Sequence, residues 1–160
     1  MTKSNFERML ELAEQAFDYR NDPQQLNVNE ATQKKLQQLH PSTLSEYNDG
    51  NGPAVWIVLI PTTLKVMELF LHNKITEQQL FDETNVDQSF EAVYLCSAMT
   101  LPEYRGKGIA KKLTRDAIEN IRKQHAIKAL FVWPFSEAGS LLADNIANTT
   151  GLPLYKRQSN

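Results

Sequence analysis

Nine consecutive residues, Pro102-Glu103-Tyr104-Arg105-Gly106-Lys107-Gly108-Ile109-Ala110, concentrate most of the chemistry this sequence offers. Two of its six glycines fall within three positions there, at Gly106 and Gly108. Glycine lets a backbone turn tightly and approach a ligand closely. The first turn of a helix carries amides with no partner inside the helix, at the positive end of its dipole. A loop of this kind opening a helix therefore suits a phosphate or diphosphate, received by the amides of residues 106–110. Arg105, Lys107, Lys111 and Lys112 supply local positive charge. The same residues also fit a helix that uses glycine only to make its turn. The spacing is not that of a Walker loop, and the three-glycine dinucleotide fingerprint is missing, so neither nucleotide class is supported.

The other reactive residue types form no comparable group. Cys96 is the single cysteine, which excludes an intramolecular disulfide. It lies in a strand-like stretch with no histidine at a suggestive spacing, so a small core residue is expected. His40, His72 and His125 are far apart in sequence, and each ends a helical pattern, where contact with terminal carbonyls suffices. No metal site is expected. Trp56 and Trp133 read as strand aromatics, either of which could border a pocket. Seventeen basic and nineteen acidic residues give a net charge of -2, with no general attraction to nucleic acid or an anionic membrane surface. The longest apolar run, residues 54–60, is far short of the roughly 20 residues a membrane helix needs, and the amino terminus is polar, so a cytoplasmic protein is expected.

The elements that must position the loop follow from periodicity. At 160 residues a single domain spanning 1–160 is expected, with no repeat or linker. Ser4 with Glu7 forms a capping box ahead of Phe6, Met9, Leu10, Ala13 and Phe17, which predicts a helix over 5–19, broken by Asn21, Asp22 and Pro23. Asn29 caps a polar second helix that stops at Pro41. After the turn-rich residues 48–53, the apolar run 54–60 predicts a strand covered on both faces. Helix signals follow at Leu64, Met67 and Leu71 and at the Thr76 and Gln79 cap. Residues 90–100 and 127–133 read as strands on either side of an amphipathic helix, whose apolar positions are Ala110, Leu113, Ala117, Ile118 and Ile121. A helix over 137–148, a Gly151 stop and a strand over 152–157 complete the pattern.

Arg105-Gly106-Lys107-Gly108-Ile109-Ala110, with Pro102 to Tyr104 before it and Leu113 after, resembles the acyl-CoA-binding motif of the GNAT acetyltransferase superfamily. The likeness covers about 20 residues in a strand-to-helix context and weakens toward the chain end. It implies the α/β acyl-CoA N-acyltransferase fold, a mixed, twisted central sheet with helices on both faces. It further implies that acetyl-CoA, as co-substrate, sets its diphosphate on Arg105, Gly106, Lys107, Gly108, Ile109 and Ala110. The pantetheine arm would then run along Met99, Thr100 and Leu101, where the strand splays from its neighbour at 127–133. The implied activity is transfer of acetyl from acetyl-CoA to a primary amine of an unknown acceptor by direct attack. The alternative is a CoA-binding module without transfer, acting as sensor or assembly partner. A second copy of the chain is the remaining candidate partner.

The resemblance also has gaps. The tyrosine by which many relatives protonate the leaving thiolate corresponds to Ala147, and a common asparagine corresponds to Ser140. Tyr155 lies on the other side of Gly151. Glu91 stands near the place from which some relatives supply a general base, one residue out of register. The family's hairpin ahead of the motif strand is not legible, and residues 61–83 read as an insertion or replacement beside the acceptor site.

Overall fold

The computed structural model describes residues 3–20, 26 and 29–158. The Phe17 side chain and the expected break at residues 21–23 lie outside them. Helix α1 (Asn5–Arg20) begins at Ser4, whose hydroxyl accepts from the Glu7 amide at 3.1 Å. Helix α2 (Glu30–Leu39) is capped by Asn29, whose side chain accepts from the Thr32 amide at 3.0 Å. A 3-10 turn at Pro41–Thr43 then leads into β1 (Leu44–Asn48).

β1 and β2 (Pro53–Thr62) form an antiparallel hairpin across the turn at residues 49–52. A hairpin ahead of the motif strand, not legible in the sequence, is therefore present. β1 escaped detection because Leu44-Ser45-Glu46-Tyr47-Asn48 is a short, half-exposed edge strand without a clean apolar alternation. The following β2 is buried along nearly its whole length, as a strand with neighbours on both sides and helices on both faces must be. Helices α3 (Leu64–Leu71) and α4 (Glu77–Asp82) form the excursion between β2 and β3 (Ala92–Thr100).

The second half alternates as expected: α5 (Ile109–Arg122), β4 (Ala129–Val132), α6 (Glu137–Thr150) and β5 (Leu154–Lys156). The sheet order is β1-β2-β3-β4-β5, antiparallel from β1 to β3 and parallel from β3 to β5. β4 and β5 are each shorter than their sequence pattern implied, because pairing ends where the strands diverge or reach the edge. Helices α5 and α6 cover one face and α1 and α3 the other. Among the described residues no helix is long and apolar enough to cross a membrane.

The core beneath α3 is aromatic. Phe70 meets Tyr94, Phe131 and Trp133 with ring centroids 5.0, 5.9 and 6.0 Å away. The Arg157 guanidinium lies over both Phe70 and Trp133, at 4.3 and 4.6 Å, and donates from Nε to Asn73 Oδ1 at 2.7 Å. Glu77, 1 % exposed, accepts from the Tyr94 hydroxyl and the Leu26 amide, which satisfies a carboxyl that would otherwise be costly to bury.

His40 and His125 pack 6.3 Å apart where α2 and α5 end. His125 Nδ1 accepts from the Phe90 amide at 3.2 Å, and His40 Nδ1 accepts from the Ser42 amide at 3.0 Å while its Nε2 meets Gln124 Oε1. Burial, and then the charge of His40, hold His125 below the usual imidazole range. The unfolded chain therefore binds this proton first, near pH 6.5. Its contribution to stability is complete above about pH 6.5, declines as pH falls through that value, and levels off once folded His125 protonates. Urea midpoints measured between about pH 5 and 7 should fall on the acid side, and His125→Gln should flatten that slope.

Candidate acyl-CoA cleft

The site is made by two strands that part. β3 and β4 pair from Ala92↔Ala129 to Leu95↔Val132 and no further. β3 runs on to Thr100, paired only with β2, while the other arm leaves through Trp133 and Pro134. A proline has no amide to donate and holds the preceding residue extended, so β4 cannot continue its ladder there. A register shift reinforces the parting: Val58 faces Ser97 but Leu59 faces Leu95, which leaves Cys96 as the extra residue of a bulge.

The gap holds a cavity of about 250 Å³, lined mainly by apolar groups. Its walls are residues 95–99 of β3, Ile57 and Leu59 of β2, residues 132–136 of the other arm, Thr114 of α5, and Gly139, Leu142, Ala143 and Ile146 of α6. Along residues 97–100 the backbone has ladder partners on one side only. An extended, amide-rich ligand can add itself to such an edge.

The glycine loop stands where β3 hands over to α5. A 3-10 turn at Pro102–Tyr104 leads to Arg105, and then Gly106 and Gly108 both take left-handed backbone, with φ of +75° and +76°. A β-carbon added at either would meet nothing within 4 Å, so the chain conformation and not crowding calls for glycine. None of the amides of residues 106–111 makes a hydrogen bond of normal geometry with another described residue; the next, Lys112, bonds the Gly108 carbonyl at 3.0 Å.

The start of α5 differs from those of the other helices. Ser4, Asn29, Thr63, Thr76 and Ser136 cap theirs with side-chain oxygens. α5 has Gly108 at this position, no side-chain cap, no acidic residue in its first turn, and Lys111 and Lys112 there instead. Lysines oppose the helix dipole at that end, so an external anion would stabilise the arrangement. Lys112 pairs with Asp116 at 3.2 Å, and Lys107 lies 5.7 Å above the Tyr104 ring. Lys111 forms no ion pair with another described residue. Arg105 turns back, donating from Nε to the Thr100 carbonyl at 3.1 Å.

The residues expected along the pantetheine arm divide. Met99 lines the cleft. Thr100 ends β3 outside the lining, and Leu101 is buried in a small second core with Met9 and Ala54, its amide donating to the Ala54 carbonyl at 2.9 Å. The walls lie further back along β3, at residues 95–98, and on α6. Sequence reasoning missed these because the bulge at Cys96 and the point where pairing stops have no local signature; Pro134 was the one available signal.

Cys96 is half-buried, packed against the main core and also lining the cleft at the bulge. Trp133 forms part of the wall and of the aromatic core at once. Glu91 lies one residue ahead of β3 and outside the cleft lining. Its carboxylate lies 3.6 Å from Lys128 Nζ and 3.5 Å from the Leu64 amide. Ser140 Oγ accepts from Lys156 Nζ at 2.8 Å, Ala147 packs against the core, and Tyr155 is exposed on the edge strand. The described residues contain no cluster of three metal-ligating side chains.

No curated protein sequence matches the chain. Residues 83–140, from the approach to β3 through the cradle and α5 into the first turn of α6, match the acetyltransferase (GNAT) domain. That match, on a mixed sheet that opens between β3 and β4, supports membership of the GNAT superfamily.

Proposed function

We propose that this protein transfers acetyl from acetyl-CoA to a primary amine, working as a single domain. The observation that carries the reading is the run of unpartnered amides at residues 106–111, at the mouth of an apolar cleft between parted strands. The amides and Lys111 would receive the diphosphate. The free edge of β3 would pair with the pantetheine arm and bring the thioester to the apex near Leu95 and Val132.

The acceptor nitrogen attacks the thioester carbonyl, the carbon–nitrogen bond forms, the carbon–sulfur bond breaks, and the thiolate leaves with the electron pair. The proton released by the nitrogen passes to solvent. A thiol titrates near about 8.5, so the thiolate is a tolerable leaving group near neutral pH without a dedicated acid. Alignment of two bound reactants supplies about 7 to 11 kcal/mol of the barrier. The apolar lining keeps water from competing with the amine.

Calorimetry with acetyl-CoA tests the cradle, and absence of binding at millimolar ligand rejects the reading. Release of free thiol across a panel of polyamines, amino acids and peptides tests transfer, whereas binding without release would favour the binding-module alternative. Glu91→Gln separates base catalysis from positioning. A general base is worth about a hundredfold or more; because Glu91 stands outside the cleft beside Lys128, its loss is expected to change kcat by only a few fold.

A further inference from the structure

Two residues immediately ahead of the cradle are held from opposite directions. Arg8 of α1 donates from both terminal nitrogens to the two carboxylate oxygens of Glu103, at 2.6 and 2.7 Å. The Tyr104 hydroxyl donates to Asp49, in the turn between β1 and β2. Asp49 in turn accepts from the Asn5 side chain at 3.0 Å and from the Asn51 amide at 2.8 Å. Tyr104 also packs against Tyr47, with centroids 5.9 Å apart, and onto the small core of Met9, Ala54 and Leu101. The Arg8 guanidinium holds the Glu103 carboxyl down at about 2, and the bond to Asp49 pushes the Tyr104 hydroxyl up to about 12, so both links persist across the physiological range.

We infer that α1 and the β1–β2 turn clamp the acyl-CoA cradle in its binding shape, with Arg8, Glu103, Tyr104 and Asp49 as positioning residues. The inference rests on the acyl-CoA reading of residues 106–111. An exposed ion pair and a single part-buried hydrogen bond each add little to global stability, so these two links are not needed to keep the sheet folded. They act on what lies next to them. Tyr104 is followed at once by Arg105 and Gly106, and the left-handed glycines leave the cradle few contacts of its own. Fixing the approach to the loop removes conformations in which its amides point elsewhere, and that loss of freedom no longer opposes ligand binding. Coupling is reciprocal: a ligand that prefers the clamped loop must also stabilise α1.

The test is acetyl-CoA affinity by calorimetry, with thermal melting and hydrogen exchange on the same proteins. Arg8→Glu should weaken binding about tenfold with little change in melting temperature, and the exchanged pair Arg8→Glu with Glu103→Arg should restore it. Tyr104→Phe keeps the ring and the net charge but loses the bond to Asp49, and should weaken binding about fivefold. In the unaltered protein, ligand should slow amide exchange in α1; in Arg8→Glu that protection should shrink. Unaltered affinity in both single variants overturns the clamp, as does a charge exchange that leaves binding as weak as Arg8→Glu alone. Should Arg8→Glu fail to fold, Tyr104→Phe decides. If the unaltered protein binds no acetyl-CoA, the proposed function itself fails, a result distinct from every variant outcome.

Discussion

Gly108→Val is expected to reduce acetyl-CoA affinity by at least a hundredfold while leaving the sheet intact. Gly108 adopts φ +76°, a conformation that costs a residue bearing a β-carbon roughly 1 to 2 kcal/mol and a β-branched one more. The surroundings cannot be blamed for any loss, since a β-carbon there meets nothing within 4 Å. The added methyls instead occupy the space above the amides, where the diphosphate would lie. Valine either relaxes toward negative φ, turning the amides of α5's first turn away, or stays and crowds the ligand. Calorimetry reads both as lost binding. Circular dichroism should retain the native signature, because Gly108 is exposed and makes no core contact. Binding at the original strength would remove the diphosphate from this loop.

Phe70→Ala carries the largest expected effect on stability. Phe70 is fully buried and its ring contacts Tyr94, Phe131, Trp133 and the Arg157 guanidinium. Truncating a buried phenylalanine costs about 3 to 5 kcal/mol, from lost transfer energy and from the cavity left behind. For a chain of this size that is a fall of about 6 to 20 °C in Tm, measurable by calorimetric melting. The consequence reaches the cleft, because Trp133 leans on Phe70 from one side and lines the cavity with the other. Acetyl-CoA binding should therefore weaken even at temperatures where the variant is folded. Phe70→Leu, which keeps most of the volume, should recover much of both losses.

The electrostatics of the loop explain how a protein of net negative charge would make the proposed anion site. The net charge of -2 gives no attraction at long range. Within the loop, however, the nearby carboxylates are already committed: Glu103 to Arg8, Asp49 to Tyr104 and Asn5, and Asp116 to Lys112. Their fields are largely cancelled at short distance, which leaves the amides with Arg105, Lys107 and Lys111, none of them paired with a described carboxylate, to set the local potential.

Local pattern determined the loop at residues 102–110, the amphipathic α5 with its apolar stripe, the buried character of β2 and the helix starts at Asn29 and Thr76, each confirmed by a side-chain cap. These were legible because their physics is local: a glycine's φ, a cap's hydrogen bond and a helix's apolar face each involve neighbours a few residues away. β1 was not legible, since a half-exposed edge strand of Leu44, Ser45, Glu46, Tyr47 and Asn48 owes its existence to the partner it pairs with. Nor were the walls of the cleft. Which residues of β3 face the gap depends on the bulge at Cys96 and on where pairing with β4 stops, and both arise from registers between strands far apart in the chain. The same holds for Arg8 and Glu103, 95 residues apart, and for Asp49 and Tyr104, 55 apart: only folding brings their charges and hydrogen-bonding groups within reach. Sequence alone thus specified the piece of backbone proposed to hold an anion, whereas the tertiary structure decided which strand edge, helix and side chains surround it, because contacts between distant segments leave no periodic trace along the chain.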